Sequence, residues 1–456
     1  MSAEIQHVKK LIEEHHIEFI DLKTLDLVGR LHHITLPIRE GTLDNLMDQG
    51  VGFDGSSFGF AKVENSDMVQ KPDLGTVQID LFRDRPTLTC FTNVFLTDEK
   101  RSRFPQDVRW VASQAEELLR RLDIADETHW GPELEYYIFS QVEFDTRTSA
   151  SYYNVTHEEE FFQNAYHACG PFDLYDDFRD ESCRLLEQAG IPVKYHHHEV
   201  GERGQQEIEF LFESLLKSAD SITLAKYILF SQAAEAGLEV TFMPKPMYQQ
   251  AGSGMHVHQF LKKNGKNIFY KSGEYANFSE TGLHYIGGLL KHAPALAAFT
   301  NPSTNSYKRL VPGFEAPVAL TYSQANRSSC VRIPRYVSDP DETRMEYRPS
   351  DATANPYLML AAMLMAGIDG IINKIDPREE GFGPYDENVF DNDDLHFLPR
   401  NLAEALDALE LDNEFLQREG IFPQSLISQW LKTKREEVHA ISTMPHPFEY
   451  KMYFHR

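Results

Sequence analysis

Residues 131–139 read Gly-Pro-Glu-Leu-Glu-Tyr-Tyr-Ile-Phe, and residues 207–210 read Glu-Ile-Glu-Phe. In both, an acid stands at every second position of an otherwise apolar run, which is the period of a β-strand. Side chains two apart share a face, so Glu133 lies beside Glu135 and Glu207 beside Glu209. Carboxylates this close raise each other's pKa unless cations sit between them. Each pair alone also fits two solvent-facing acids on an edge strand. Just upstream of the second pair stands His196-His197-His198-Glu199. Three successive strand residues cannot all face one way, so only alternate histidines can serve a site. Mixed carboxylate and imidazole ligation suits Mg²⁺ or Mn²⁺ better than a structural zinc.

Outward from these strands, the pattern is α+β. A helical period covers 3–16, followed by two strands at 18–22 and 27–36. Further strands are expected at 76–81 and 87–95, split by Arg85-Pro86. The polar run 98–105 marks a boundary, which gives an N-terminal domain over 1–100 and a second domain over 101–456. Helices are expected at 106–121, 214–236, 352–372, 401–411 and 423–438. Strands and helices do not alternate in a βαβ rhythm, so a doubly wound sheet is disfavoured.

The 456 residues carry a net charge of −26. That field repels phosphate backbones and anionic membranes, so neither nucleic acid nor a membrane is expected as a partner. The longest apolar stretch, 357–368, is well short of the ~20 residues of a bilayer span. The N-terminus is charged, without the apolar core of a secretory signal. The four cysteines are scattered, with no CxxC pair, which fits free thiols in a reducing, cytoplasmic compartment.

Three more segments carry chemistry. Residues 252–258, GSGMHVH, combine glycines that admit a close backbone approach with His256 and His258 on one strand face. Residues 308–348 hold Lys308, Arg309, Arg327, Arg332, Arg335, Arg344 and Arg348, and arginine forks match carboxylate and phosphate. Residues 54–57, DGSS, read in isolation as an Asx turn. Together these point to metal-assisted phosphoryl transfer from a nucleotide. No Walker A or protein-kinase signature is present.

In order and wording the motifs resemble the class I glutamine synthetases. The resemblance rests on DGSS at 54–57, GPELEYY at 131–137, HHHEV through GQQEIEF at 196–210, GSGMHVH at 252–258, NPSTNSYKRLVPGFEAP at 301–317, NRSSCVRIP at 326–334 and EYRPSDATANPYL at 346–358. It implies an N-terminal β-grasp domain and a catalytic domain of curved antiparallel strands flanked by helices. It also implies ATP-dependent ligation of ammonium to glutamate through γ-glutamyl phosphate, with Mg²⁺ or Mn²⁺. The implied assembly is a dodecamer of two hexameric rings with active sites between subunits, and the resemblance admits a nitrogen-regulatory protein as a partner.

Carried over by motif, Glu135, Glu199 and Glu207 resemble ligands of the metal next to glutamate. Glu133, His256 and Glu346 resemble ligands of the metal at the ATP phosphates. Arg309, Arg348 and Gly252 would hold the substrate, together with Glu135 and His256. Arg327, Arg332 and Arg344 would neutralise phosphates, with Phe212 and His258 near the nucleotide and His197 near the phosphoryl acceptor. Asp54 of a neighbouring subunit, with Ser57, would bind and deprotonate ammonium, and Glu315 in a flap would complete that site.

Five departures stand out. Ala251 replaces an asparagine that touches glutamate, and Pro171 replaces a tyrosine of the ammonium pocket. Phe260 replaces a serine near the nucleotide, and Asp341 a phosphate-side lysine. Phe390 stands where one subclass has the tyrosine that is adenylylated, so that control has no hydroxyl to act on. Lys62 resembles a basic feedback position. The rival readings are a glutamate–amine ligase, which tends to lose the ammonium-site acids, and a ring-forming homologue without catalysis. Asp54 with Glu315 argues against the first, and the six intact ligand positions against the second.

Overall fold

The computed structural model describes residues 3–61, 63–161, 165–311, 316–387 and 395–456. Lys62, Glu315 and Phe390 lie outside the described residues. Among the described residues, the chain opens with helix α1 (Ala3–Glu14), strands β1 (Phe19–Leu25) and β2 (Leu31–Pro37), helix α2 (Thr42–Asp48), and strands β3 (Val51–Asp54), β4 (Asp67–Pro72), β5 (Gln78–Ile79) and β6 (Thr87–Leu96). The sheet order is β2-β1-β6-β4-β3, with β5 also on β6. The central β1–β6 pair is parallel and the other pairs are antiparallel. Val8, Ile20, Leu22, Leu43, Leu46 and Leu88 close one face of this sheet as a separate small core. The 76–81 stretch, expected as a full strand, gives only two strand residues, because Asp73 caps a 3-10 turn at Leu74–Thr76.

The rest of the chain builds a nine-stranded sheet from β7 (Glu127–Phe139), β10 (Val193–His198), β11 (Gln205–Phe210), β12 (Glu239–Thr241), β13 (Val257–Lys263), β14 (Lys266–Asn267), β15 (Ala319–Gln324), β16 (Ser329–Ile333) and β17 (Met345–Tyr347). Its order is β10-β11-β7-β13-β17-β16-β15, with β12 on β7 and β14 on β13. All pairs are antiparallel except β15–β16. A separate hairpin, β8 (Gln141–Arg147) and β9 (Ala150–Thr156), projects from the end of β7. The helices are α3 (Val108–Arg121), α4 (Asp176–Gln188), α5 (Leu215–Ala236), α6 (Glu280–Thr300), α7 (Ser306–Arg309), α8 (Pro356–Asn373), α9 (Leu402–Leu411), α10 (Glu414–Gln417), α11 (Gln424–Ser442) and α12 (Pro447–Tyr453).

Helix α8 is the centre of the core. Asn355 caps it by accepting from the Tyr357 and Leu358 amides, and Pro356 takes the first turn, where no N–H is missed. It is apolar all round because it is buried all round. It is long and apolar enough to cross a membrane, yet 83% of it is buried inside the fold. Helix α6 crosses it at backbone distance: a Cβ on Gly288 would sit 2.1 Å from the Ala366 carbonyl, and one on Gly370 2.1 Å from that of His284. Helix α3 begins at Val108, two residues later than its period predicts, because Asp107 takes the cap by accepting from the Arg109 amide.

Arg109 joins the two sheets' territories. Its Nε and Nη2 form a fork on both oxygens of Asp220 in α5, at 2.9 and 2.7 Å. Its Nη1 reaches Asp73 at 2.7 Å and Asn93 at 3.2 Å on the N-terminal side. Tyr357 of α8 donates to the same Asp220 at 2.6 Å. Removing one partner of a buried pair leaves the other charge uncompensated, at a cost of about 3–5 kcal/mol. Arg109→Ala is therefore expected to lower the denaturant midpoint sharply, with Arg109→Lys intermediate because it keeps the charge but not the fork. Equal midpoints for wild type and Arg109→Ala in urea titrations would contradict this.

Candidate functional site

Strand β7 is the spine of the site. Its residues 127–132 pair with β13 and its residues 133–137 with β11. The register sets Glu207 opposite Glu135 and Glu209 opposite Glu133, and on β10 it sets His197 opposite Glu207. Opposed Cβ atoms lie about 4.5–5.5 Å apart. His197, Glu207 and Glu135 thus form one row, and Tyr195, Glu209 and Glu133 the next. Along the other edge of β7, the Glu133 and Glu135 amides donate to the carbonyls of His256 and Gly254 at 2.9 and 3.3 Å. This draws the glycine-rich segment alongside the acids. Farther out, His258 faces Glu346, and Glu346 faces Arg332. The alternate residues Leu134, Tyr136, Ile138, Ile208 and Phe210 point into the core.

Two groups of ligand-type atoms converge on this face, each with its atoms within 4.8 Å of one another: Glu133, His258 and Glu346, and His197, Glu199 and Glu207. His256 lies between them. Its Nδ1 is 2.8 Å from Glu133 Oε2 and 3.6 Å from Glu346 Oε1, and its Nε2 is 3.7 Å from Glu135 Oε1. His258 Nε2 is 2.8 Å from the other Glu133 oxygen. A third group, Asp176, Asp180 and His196, lies off this face. There Arg179 Nε donates to His196 Nδ1 at 3.0 Å, so the imidazole lone pair is already taken.

The two groups on the face differ in charge balance. Glu346 is fully buried, which raises its pKa, but Arg348 and Arg332 prevail and hold it down at about 2. Arg348 Nη1 and Arg332 Nε each donate to it at 2.5 Å. Glu133 is likewise held well below the carboxylate range, because His258 and His256 outweigh burial. At the other group burial prevails. With the charges of Glu133, Glu135 and Glu199 it pushes Glu207 well above the usual range, and with Glu135 it pushes Glu199 up to about 7. Burial also lowers the pKa of His197. Acids buried together without a cation fit a divalent ion.

Of the basic residues between 308 and 348, Arg309, Arg332, Arg344 and Arg348 are buried, whereas Lys308, Arg327 and Arg335 are exposed. Arg309 Nη1 donates to the Pro349 carbonyl at 2.7 Å and Nη2 to that of Arg348 at 3.2 Å. The close approach needs glycine: a Cβ on Gly254 would fall 2.3 Å from Arg309 Nη2, and one on Gly252 2.7 Å from Arg309 Cγ. Arg348 Nε donates to the Arg327 carbonyl at 3.2 Å. Arg344 lies over the Phe212 ring at 5.3 Å and over Tyr336 at 5.8 Å, and Phe212 itself packs against Gly131.

Not every expected residue joins this face within one chain. Asp54 is exposed at the end of β3. It accepts from the Ser56 amide and hydroxyl at 2.9 and 2.7 Å and from the Ser57 hydroxyl at 2.9 Å, and these bonds hold it well below the usual range. Near His197, Tyr166 packs edge-on at 5.3 Å and Tyr195 stacks at 6.1 Å, whereas Pro171 is exposed. Sequence reasoning missed Tyr166 because residues 157–175 carry no periodicity. The Ala251 carbonyl accepts from the Tyr137 hydroxyl at 2.7 Å. Phe260 stacks on His129 with ring centroids 4.5 Å apart and meets Phe212 edge-on. Asp341 is exposed in a short turn capped by Asp339.

Two family profiles match the chain. The family profile described as the glutamine synthetase β-grasp domain matches residues 16–97, and that of the glutamine synthetase catalytic domain matches residues 105–453. The glutamine synthetase of Frankia alni is 43% identical over the whole of both chains. Those of Mycolicibacterium smegmatis and Aquifex aeolicus are each 41% identical over 98% of both chains. The cryo-electron-microscopy structure of Plasmodium falciparum glutamine synthetase superposes with a TM-score of 0.90 at 27% identity, covering 99% of each chain.

The charge balance fixes a pH signature. Glu199 and Glu207 bind protons more tightly in the folded chain than in the unfolded one, so metal-free stability falls as pH rises above about 4.5; the contribution of Glu199 is lost through about 7, and Glu207 adds a loss in the same direction. Glu207→Gln is expected to raise the melting temperature of the chelated protein at pH 8 while removing the gain that Mn²⁺ gives wild type. Cation binding to wild type should release fewer protons at pH 8.5 than at pH 6.5. Calorimetry in buffers of different ionisation enthalpy checks the proton count, and release that does not vary with pH would contradict the assignment.

Proposed function

The chain belongs to the glutamine synthetase family, and from that premise we propose that it joins ammonium to the γ-carboxylate of glutamate at the expense of ATP. What carries the reading is the coincidence of full-length family membership with two acid groups facing one another across β7, one balanced by arginines and one lacking a cation. A carboxylate is a poor electrophile. Its phosphorylation to γ-glutamyl phosphate creates a leaving group that an amine can displace.

We assign Glu135, Glu199 and Glu207 to one divalent metal and Glu133, His256 and Glu346 to a second, with Mg²⁺ or Mn²⁺ as the ion. Bound there, the ions would spread the charge of the transferring phosphoryl group and polarise the carbonyl of the acyl phosphate. Arg332 and Arg344, with the exposed Arg327, supply further positive charge to the phosphates. Arg309 and Arg348 offer forks to the carboxylates of glutamate, with the Gly252 backbone and His256 beside them, and His197 flanks the acceptor. Phe212 and His258 lie toward the nucleotide.

Asp54 and Ser57 hang at the exposed end of β3. We infer that they serve the site of a neighbouring subunit in a ring assembly, a dodecamer on the family pattern, in the cytoplasm. An acid whose pKa is held low stays ionised and attracts NH₄⁺. We assign Asp54 to take a proton from NH₄⁺, which frees the nitrogen lone pair that then attacks the acyl phosphate, and Glu315 to the same cation.

Coupled ADP release with glutamate, comparing ammonium with methylamine, ethanolamine and putrescine, tests the substrate, and a clear preference for an organic amine would overturn the reading. Glu135→Ala is expected to lose turnover by roughly 10²-fold or more. Rings of Asp54→Ala alone and Arg348→Ala alone should be nearly inactive, whereas mixed rings should recover up to about a quarter of wild-type activity, because some interfaces then carry two intact halves. Mixed rings verified by native mass spectrometry that show no recovery would place Asp54 and Arg348 in the same chain's site.

A further inference from the structure

Past the row of His197, Glu207 and Glu135, the next residues on the same face of β11 and β7 are Gln205 and Tyr137, which stand opposite one another in the register. Both are buried. The Gly201 amide donates to Gln205 Oε1 at 2.8 Å, which settles which end of the side-chain amide is oxygen. Its Nε2 then faces acceptors: the Gly252 carbonyl at 3.1 Å, Glu135 Oε2 at 3.4 Å and Ser253 Oγ at 3.4 Å. The backbone carbonyl of Gln205 accepts from the Glu199 amide at 2.9 Å. One residue thus touches the segments that carry Glu135, Glu199 and Gly252, and it stands two places before Glu207. Tyr137 works beside it, donating its hydroxyl to the Ala251 carbonyl at 2.7 Å. Gly201 lets the intervening turn close on both side chains: a Cβ there would fall 2.3 Å from the Tyr137 hydroxyl and 2.5 Å from Gln205 Oε1.

These bonds fix directions at one end of the face. Glu135 Oε2 is held by Gln205 and by the Gly254 amide at 2.8 Å, so Oε1 is the oxygen turned toward His256, 3.7 Å away. The successive carbonyls of Ala251 and Gly252 are each held by one side-chain donor. An apolar side chain would fill the place of Gln205 without the cost of burying an amide that must be paired. What the amide adds is orientation. On the glutamate-dependent reading above, on which this inference rests, Gly252, Arg309 and Glu135 meet the amino acid, whereas the nucleotide lies toward Phe212 and His258. We propose that Gln205 is a positioning residue for glutamate: its side-chain amide ties the Gly252 carbonyl to Glu135, and the Tyr137 hydroxyl secures the neighbouring carbonyl, so that the amino-acid end of the face is set before substrate arrives.

The test is steady-state glutamine formation by the full-length protein at saturating Mn²⁺, with glutamate and ATP varied in turn. Gln205→Met keeps the volume and removes the hydrogen bonds. It is expected to raise the KM for glutamate roughly tenfold and to leave the KM for ATP within about twofold, a split that general loosening of the site would not give. Tyr137→Phe, which loses one oxygen atom, should raise the KM for glutamate roughly threefold with the same split. The double variant should fall short of the product of the two, because both act on adjacent carbonyls of one segment. Gln205→Glu is equal in size but puts an acceptor where Nε2 stood, so it should be worse than Gln205→Met; a residue that only fills space would rank the other way. A KM for ATP that rises in step with that for glutamate overturns the proposal, as does a folded Gln205→Met with wild-type KM values. Should both Gln205 variants fail to fold, the split in Tyr137→Phe decides it. A wild type that forms no glutamine from glutamate, ammonium and ATP would instead overturn the proposed function.

Discussion

Like charges forced together out of water are the constraint on which this structure turns. Glu135, Glu199 and Glu207 crowd one end of a buried sheet face, and burial there favours the protonated form of Glu199 and Glu207. Nothing in folding rewards that arrangement. Apolar residues at the same positions would extend the core at less cost. On the proposed assignment the acids are a standing demand for cations. At the other end the protein meets the demand itself, with Arg332 and Arg348 on Glu346. The face is therefore polarised along its length, with metal-hungry acids at one end and pre-neutralised acids at the other.

Holding such a face requires a scaffold that does not relax. The opposite side of β7 and β11 is sealed by Leu134, Tyr136, Ile138 and Ile208, each with no exposed surface. Behind them α6 and α8 pack at backbone distance through Gly288 and Gly370. A close-packed interior transmits strain rather than absorbing it, so the carboxylates cannot drift apart to relieve repulsion. The Arg109 fork extends this rigidity to the N-terminal sheet, whose β3 end carries Asp54.

Much of this was legible in the sequence because it is local. Acids two apart on a strand share a face wherever the strand lies, so the pairs at 133/135 and 207/209 could be named at once. The Asx turn at Asp54 and the caps of the long helices are similarly short-range. Register is not local. That Glu207 meets Glu135 and His258 meets Glu346 depends on pairing between strands far apart in the chain; the motif resemblance anticipated the first meeting, but grouped Glu346 with His256 and not with His258. Burial of arginine was equally invisible: Arg332 and Arg335 are three residues apart in one segment, yet one is buried on Glu346 and the other exposed. In the β10–β11 pairing the register slips by one residue between Val193 and Tyr195, which inverts strand parity at Lys194, and no periodicity reports an insertion of one residue.

The net charge of −26 poses a last problem, since glutamate and ATP are anions approaching an acidic protein. At physiological ionic strength, exposed charges are screened beyond about 8 Å, whereas buried ones are screened much less. The surface acids therefore act weakly at the site, and the four buried arginines act strongly. Ammonium and divalent cations feel attraction from both sources. The same composition favours the small cations, and on the proposed assignment the arginines turn the local field toward phosphate and carboxylate.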